Sequence, residues 1–95
     1  MVIVLNKIIN STYSNDEGNK IFNLMRDTIK ENSITISFEG FDVVSSSFVN
    51  SAFVPLLQIY SFELIKSHLH FRKTNRQIND MIKKRLVFES ARANQ

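Results

Sequence analysis

The sequence predicts an α/β domain, a small and mainly parallel β-sheet with helices in the order β-α-β-α-β-α. Two observations predict it. Two runs rich in β-branched residues, Val2–Ile9 and Ser33–Phe38, and the short segment Leu69-His-Phe-Arg72 are separated by stretches whose apolar residues recur at helical spacing. The helical stretches open on Ser, Thr or Asn, the residues that cap helices. Strands alternating with helices in this way lead to right-handed crossovers between parallel neighbours.

Val2–Ile9 is apolar and rich in Val and Ile, and is expected to be a largely buried strand. The polar stretch from Asn10 to Asn15 reads as a loop. Ser14 followed three residues later by Glu17 is a capping-box pattern, with Asp16 and Glu17 in the first turn, where the helix dipole favours acids. The helix it opens places Phe22, Met25 and Ile29 on one face with Ile21 beside them, and is expected to end near Glu31.

Ser33-Ile-Thr-Ile-Ser-Phe38 alternates polar and apolar residues, the pattern of a half-buried strand. Glu39-Gly40-Phe41-Asp42 reads as a turn. A second helix is expected to start in Ser45-Ser46-Ser47 and to carry Val49, Ala52, Phe53, Leu56 and Tyr60. Pro55 has no N–H to give to the helical ladder and is expected to kink or shorten that helix. A short helical turn is expected over Phe62–Lys66 and a third strand over Leu69–Arg72. Thr74 with Gln77 forms a second capping-box pattern, and Ile78, Met81, Ile82 and Leu86 form the apolar stripe of a last helix. Residues 91–95 read as a frayed tail. Phe38, Phe41, Phe48, Phe53 and Phe71 are expected to pack in the core.

With 95 residues, the chain is expected to be a single domain over residues 1–95. Its 43% apolar content and eight Phe residues fit a globular chain. Cysteine is absent, which excludes disulfides, thiolate catalysis and Cys-based zinc sites. Asn6 and Lys7 interrupt the apolar start, so neither a signal peptide nor a membrane span is expected, and the expected compartment is the cytoplasm. A three-stranded sheet leaves two open edges, which a partner or a second copy would cover, so a homodimer is one expected assembly.

Charge is unevenly spread. Residues 1–65 hold four Lys/Arg against seven Asp/Glu, and residues 66–95 hold eight against two. Lys66, Arg72, Lys73, Arg76, Lys83, Lys84, Arg85 and Arg92 make nucleic-acid binding the alternative function, although a solvated face of a terminal helix is the more usual meaning of such a charge run. His68 and His70, two residues apart, are expected on one face of the third strand, with no third residue placed beside them to complete a metal site. Glu39, Asp42 and Glu63 are the acids nearest the serine run, and nothing in their spacing makes them converge. The two glycines, Gly18 and Gly40, cannot build a phosphate-binding loop or a dinucleotide fingerprint, and no G-x-S-x-G elbow accompanies the serines. The expectation is a chain with no catalytic residues, no metal and no cofactor.

The segment Ser37-Phe-Glu-Gly-Phe-Asp-Val-Val-Ser-Ser-Ser-Phe-Val-Asn-Ser-Ala-Phe53 runs from a strand end through a turn to a Ser-Ser-Phe that opens a helix. It resembles the STAS-like family of bacterial domains of unknown function and, more distantly, anti-sigma factor antagonists. The resemblance covers roughly residues 16–91 and includes Glu63-Leu64, the strand at Leu69–Phe71 and a final helix from Asn75. It implies a regulatory protein-binding module whose contact surface comprises Gly40, Phe41, Asp42, Ser45, Ser46, Ser47 and Asn50. In the antagonists the matching stretch reads Asp-Ser-Ser-Gly, and its first Ser accepts a phosphate from a partner kinase. That Ser corresponds to Ser46, so the resemblance implies Ser46 as phosphoacceptor and a histidine-kinase-like ATPase as partner. The Asp corresponds to Ser45 and the Gly to Phe48, and both depart from the antagonist pattern.

Overall fold

The computed structural model describes residues 1–93. Three strands, β1 (Val2–Val4), β2 (Ile34–Ser37) and β3 (Leu69–Arg72), form one parallel sheet in the order β1-β2-β3. The helices are α1 (Asn15–Met25), α2 (Ser46–Ala52), α3 (Phe62–His68) and α4 (Arg76–Ala93). Short 3-10 helices follow β1 (Leu5–Lys7) and α2 (Val54–Gln58).

The period-two pattern decides which face of the sheet is covered. Ile36 stands between Ile3 and Phe71, and Ile34 beside Leu69. These side chains point to one face, where they join Ile21, Met25, Phe48, Val49, Ile78 and Ile82 from the helices in a single core. The opposite face carries Val2, Val4, Thr35, Ser37, His70 and Arg72, of which Ser37 alone is buried, its Oγ accepting from the Glu39 N–H at 3.4 Å. The domain is therefore two-layered, and the polar positions of β2 mark the open face.

Several boundaries differ from the sequence expectation. Strand β1 ends at Val4, not Ile9. Leu5 and Ile9 are both buried while Ile8 is exposed, and Ile9 donates its N–H to the Leu5 carbonyl, so this stretch coils. β-Branched composition does not distinguish a strand from a single buried turn. In α1 the buried stripe is Gly18, Ile21 and Met25, continued by Ile29 in the turns beyond the helix. Phe22 lies at its margin, half-buried under the Arg26 guanidinium.

Pro55 acts as expected. Helix α2 stops at Ala52, and the chain continues as the 3-10 helix in which Pro55 occupies the first turn. Helix α3 extends to His68 and passes directly into β3. His68 is thus helical, with Nδ1 2.6 Å from the Ile29 carbonyl oxygen, whereas His70 lies on the open sheet face, so the two do not share a strand face. The last helix is capped by Asn75, whose Oδ1 accepts from the Ile78 N–H at 3.0 Å, and not by Thr74. Residues 91–93 of the expected frayed tail are the end of α4, and residues 94–95 lie outside the described residues.

The Ser14 cap is present, its Oγ accepting from the Glu17 N–H at 3.2 Å. The Glu17 carboxylate does not close the box on Ser14. It accepts instead from the Asn10 N–H at 2.9 Å and the Lys20 ammonium at 3.0 Å, and these bonds, that of Lys20 foremost, hold its pKa below the usual carboxylate value.

Candidate functional site

In a parallel sheet the loops leaving the carboxyl ends of the strands lie together, and in open α/β folds ligands bind there. Here the loop after the central strand, Phe38–Ser45, is gripped from both sides. From the β1 side, Asn6 Nδ2 donates to the Glu39 carbonyl at 3.0 Å. The buried Thr12 hydroxyl donates to the Val43 carbonyl at 2.6 Å, and the Thr12 carbonyl accepts from the Ser45 N–H at 3.0 Å. From the β3 side, Asn75 Nδ2 donates to the Asp42 carbonyl at 2.6 Å. Gln77 binds both backbone groups of Val44, accepting from its N–H at 3.0 Å and donating to its carbonyl at 3.1 Å. Gln77 thus serves as a backbone surrogate where its expected role was in a capping box.

Gly40 turns the loop with a left-handed φ of +89°, and the Phe41 N–H closes the turn on the Phe38 carbonyl at 2.9 Å. Phe41 is half-buried against the core, while Asp42 is exposed. Val44 is buried and anchors the loop ahead of the serines.

The three serines have different environments. Ser45 is the N-cap of α2: its Oγ accepts from the Phe48 N–H at 3.0 Å and donates to the Tyr13 carbonyl at 2.9 Å. Ser46 and Ser47 are the first helical residues and are exposed, and neither hydroxyl is engaged by another protein group among the described residues. Asn50, one turn further on, is exposed, and its Oδ1 accepts from Arg85 Nε at 2.8 Å, which ties α2 to α4. Phe48, at the position of the antagonist glycine, is fully buried and contributes to the core.

The structure brings Gly40, Phe41, Asp42, Ser45, Ser46, Ser47 and Asn50 onto one loop-and-helix surface. It adds Tyr13 and Val43, two exposed apolar side chains beside the serines, of which Tyr13 is 58% exposed. Val43 lies two residues before Ser45 in the same segment, whereas Tyr13 carries no sequence signal, because the loop that holds it comes against the serine loop only through the sheet. The carboxylates of Glu39 and Asp42 are exposed and Glu63 sits on α3, so they form no acid pair. No three His, Cys, Asp or Glu side chains gather among the described residues.

A family model described as a STAS-like domain of unknown function (DUF4325) matches residues 17–79. The chain belongs to this STAS-like family. The matched span runs from the first turn of α1 to the first turn of α4 and contains the whole serine loop together with Asn75 and Gln77, which hold it. No curated protein and no solved structure matches the chain significantly.

The basic residues of the last third of the chain are spread over three elements. Lys66 lies on α3, Arg72 and Lys73 at the end of β3, and the others along α4. Arg85 and Arg92 both pair with Glu89, at 2.9 and 3.7 Å. No single helix among the described residues is long and apolar enough to cross a membrane.

Proposed function

We propose that this STAS-like domain is a non-catalytic regulatory module of the cytoplasm that binds a protein partner through the Gly40–Asn50 surface. In this proposal Ser46 is the residue a partner kinase would phosphorylate. By analogy with anti-sigma factor antagonists, the partner is a histidine-kinase-like ATPase. The observation that carries the reading is the division of labour in the serine run: Ser45 takes the cap, which leaves Ser46 exposed and uncommitted on a loop held from both sides. A phosphate added there would lie beside the first turn of α2 without breaking a structural hydrogen bond.

Three substitutions test this. Ser45→Ala is expected to lower stability by about 1 kcal/mol, because it removes the cap. Ser46→Ala and Ser46→Asp are expected to stay within about 0.5 kcal/mol of wild type in urea melts, since neither touches the cap. Binding separates the Ser46 pair. Measured by calorimetric titration against the partner recovered from the native host, Ser46→Asp weakens binding about tenfold or more through its added charge, and Ser46→Ala leaves it unchanged. If both variants bind like wild type, Ser46 lies outside the interface and the phosphoregulated reading falls.

Nucleic acid is not the expected partner. The cations sit on α3, at the end of β3 and along α4, two of them are paired with Glu89, and the exposed Phe88 beside them already lies under the Arg85 and Arg92 guanidinium groups instead of standing free to stack a base. In gel-shift assays at about 150 mM salt, no sub-micromolar binding to duplex or single-stranded DNA is expected. Affinity in that range would reverse the order of the two readings.

A further inference from the structure

Strand β3 is an edge strand, and α3 and α4 flank it without closing over it. Between them lies a half-open groove of about 400 Å³. Leu69 and Phe71 of β3, Phe62 and Ile65 of α3, and Ile82 and Leu86 of α4 give it an apolar lining, with Val87 at its exposed margin. Its only charged lining groups are Lys66 and Lys83. Neither lysine has an ion-pair partner among the described residues, and none of Glu63, Asp80 and Glu89, the acids on the same two helices, lines the groove; Glu89 is paired with Arg85 and Arg92.

We propose that this groove binds a medium-chain aliphatic carboxylate, its tail along Leu69, Phe71 and Ile82 and its carboxylate against the Lys66 and Lys83 ammonium groups. Two observations select this occupant. The volume falls within the roughly 300–1,000 Å³ of small-molecule sites, and an apolar lining with few polar groups is their usual composition. The two cations at the groove, both exposed and without an ion-pair partner, favour an anionic head: a carboxylate gains charge-assisted contacts there that a neutral amphiphile cannot make, and a cationic one is repelled. The site shares no residue with the serine loop, so its test is independent of the function proposed above.

The experiment is a titration of the full chain with decanoate below its micelle-forming concentration, followed by backbone amide NMR. Saturable shifts are expected at Ile65, Lys66, Leu69, Phe71, Lys83 and Val87, with decanol and decyltrimethylammonium binding about tenfold or more weakly. The double variant Lys66→Ala/Lys83→Ala, at two exposed positions, is expected to lose about tenfold in decanoate affinity and little in decanol affinity. Val87→Trp, which fills the margin of the groove, is expected to weaken both. Shifts that scatter over the surface without saturating, or equal affinity for the cationic amphiphile, would overturn the proposal. So would sedimentation showing a dimer without ligand whose dilution shifts the same groove amides, because a second copy then covers the groove.

Discussion

Phe53→Ala is expected to destabilise the domain by about 3–5 kcal/mol, a large share of the roughly 5–15 kcal/mol that holds a typical domain folded. Phe53 is fully buried at the C-cap of α2, where the helix gives way to the 3-10 turn. Its ring meets Phe48 edge-on at 6.2 Å and Phe71 edge-on at 5.5 Å, and Phe71 continues to Phe38 at 6.0 Å. The ring therefore joins α2 to the edge strand β3, and its loss leaves a cavity between a short helix and a sheet that cannot collapse without moving both. Urea melts are the measurement, with the midpoint falling and the slope unchanged. A loss below about 1 kcal/mol would show that the ring does not bridge the two elements.

Gly18→Ala is expected to destabilise by about 1–3 kcal/mol, against the sign that helix propensity predicts. Gly18 is an interior residue of α1, and by propensity alone alanine there would stabilise by about 1 kcal/mol. The packing of α1 on α2 reverses this. A methyl group at Gly18 would lie 2.7 Å from Ser51 Cβ, 2.8 Å from the Phe48 carbonyl oxygen and 3.1 Å from the Ala52 nitrogen. Two of these atoms are backbone and the third is a β-carbon, so no rotamer change makes room and the helices must separate. Separation would also disturb the Ser51–Asn15 hydrogen bond and the attachment of Ser45 to the Thr12–Tyr13 segment. The exposed neighbour Asn19→Ala is the control, expected to be neutral or mildly stabilising. A Gly18→Ala protein as stable as this control would show that the helices are not in close contact at that point.

Much of the architecture was legible in the residues. The alternation in Ile34–Ser37, the Ser14 cap and the Pro55 break act locally, through side-chain period, a three-residue hydrogen bond and a missing N–H, and each stands where its pattern predicts. The serine loop was legible as well, because a strand end, a turn glycine and a helix cap follow one another within the stretch Ser37–Phe48. Strand β1 and the cap of α4 were less legible. Leu5 and Ile9 can pack as a strand or as a turn until their neighbours are known, and Thr74 and Asn75 are both good caps one residue apart.

By itself, the sequence determined the order of elements, the alternation of the central strand and the membership of the serine run in a helix start, since all three depend on near neighbours in the chain. Only the tertiary structure decided that Ser45 caps while Ser46 stays uncommitted, because that choice rests on the Thr12 and Tyr13 carbonyls, 33 and 32 residues away in sequence. It also decided that Gln77 holds Val44, that Tyr13 flanks the serines, and that Gly18 is a contact point between helices. Each of these depends on how parallel strands bring distant loops to one edge of the sheet, a juxtaposition that no local pattern of residue types encodes.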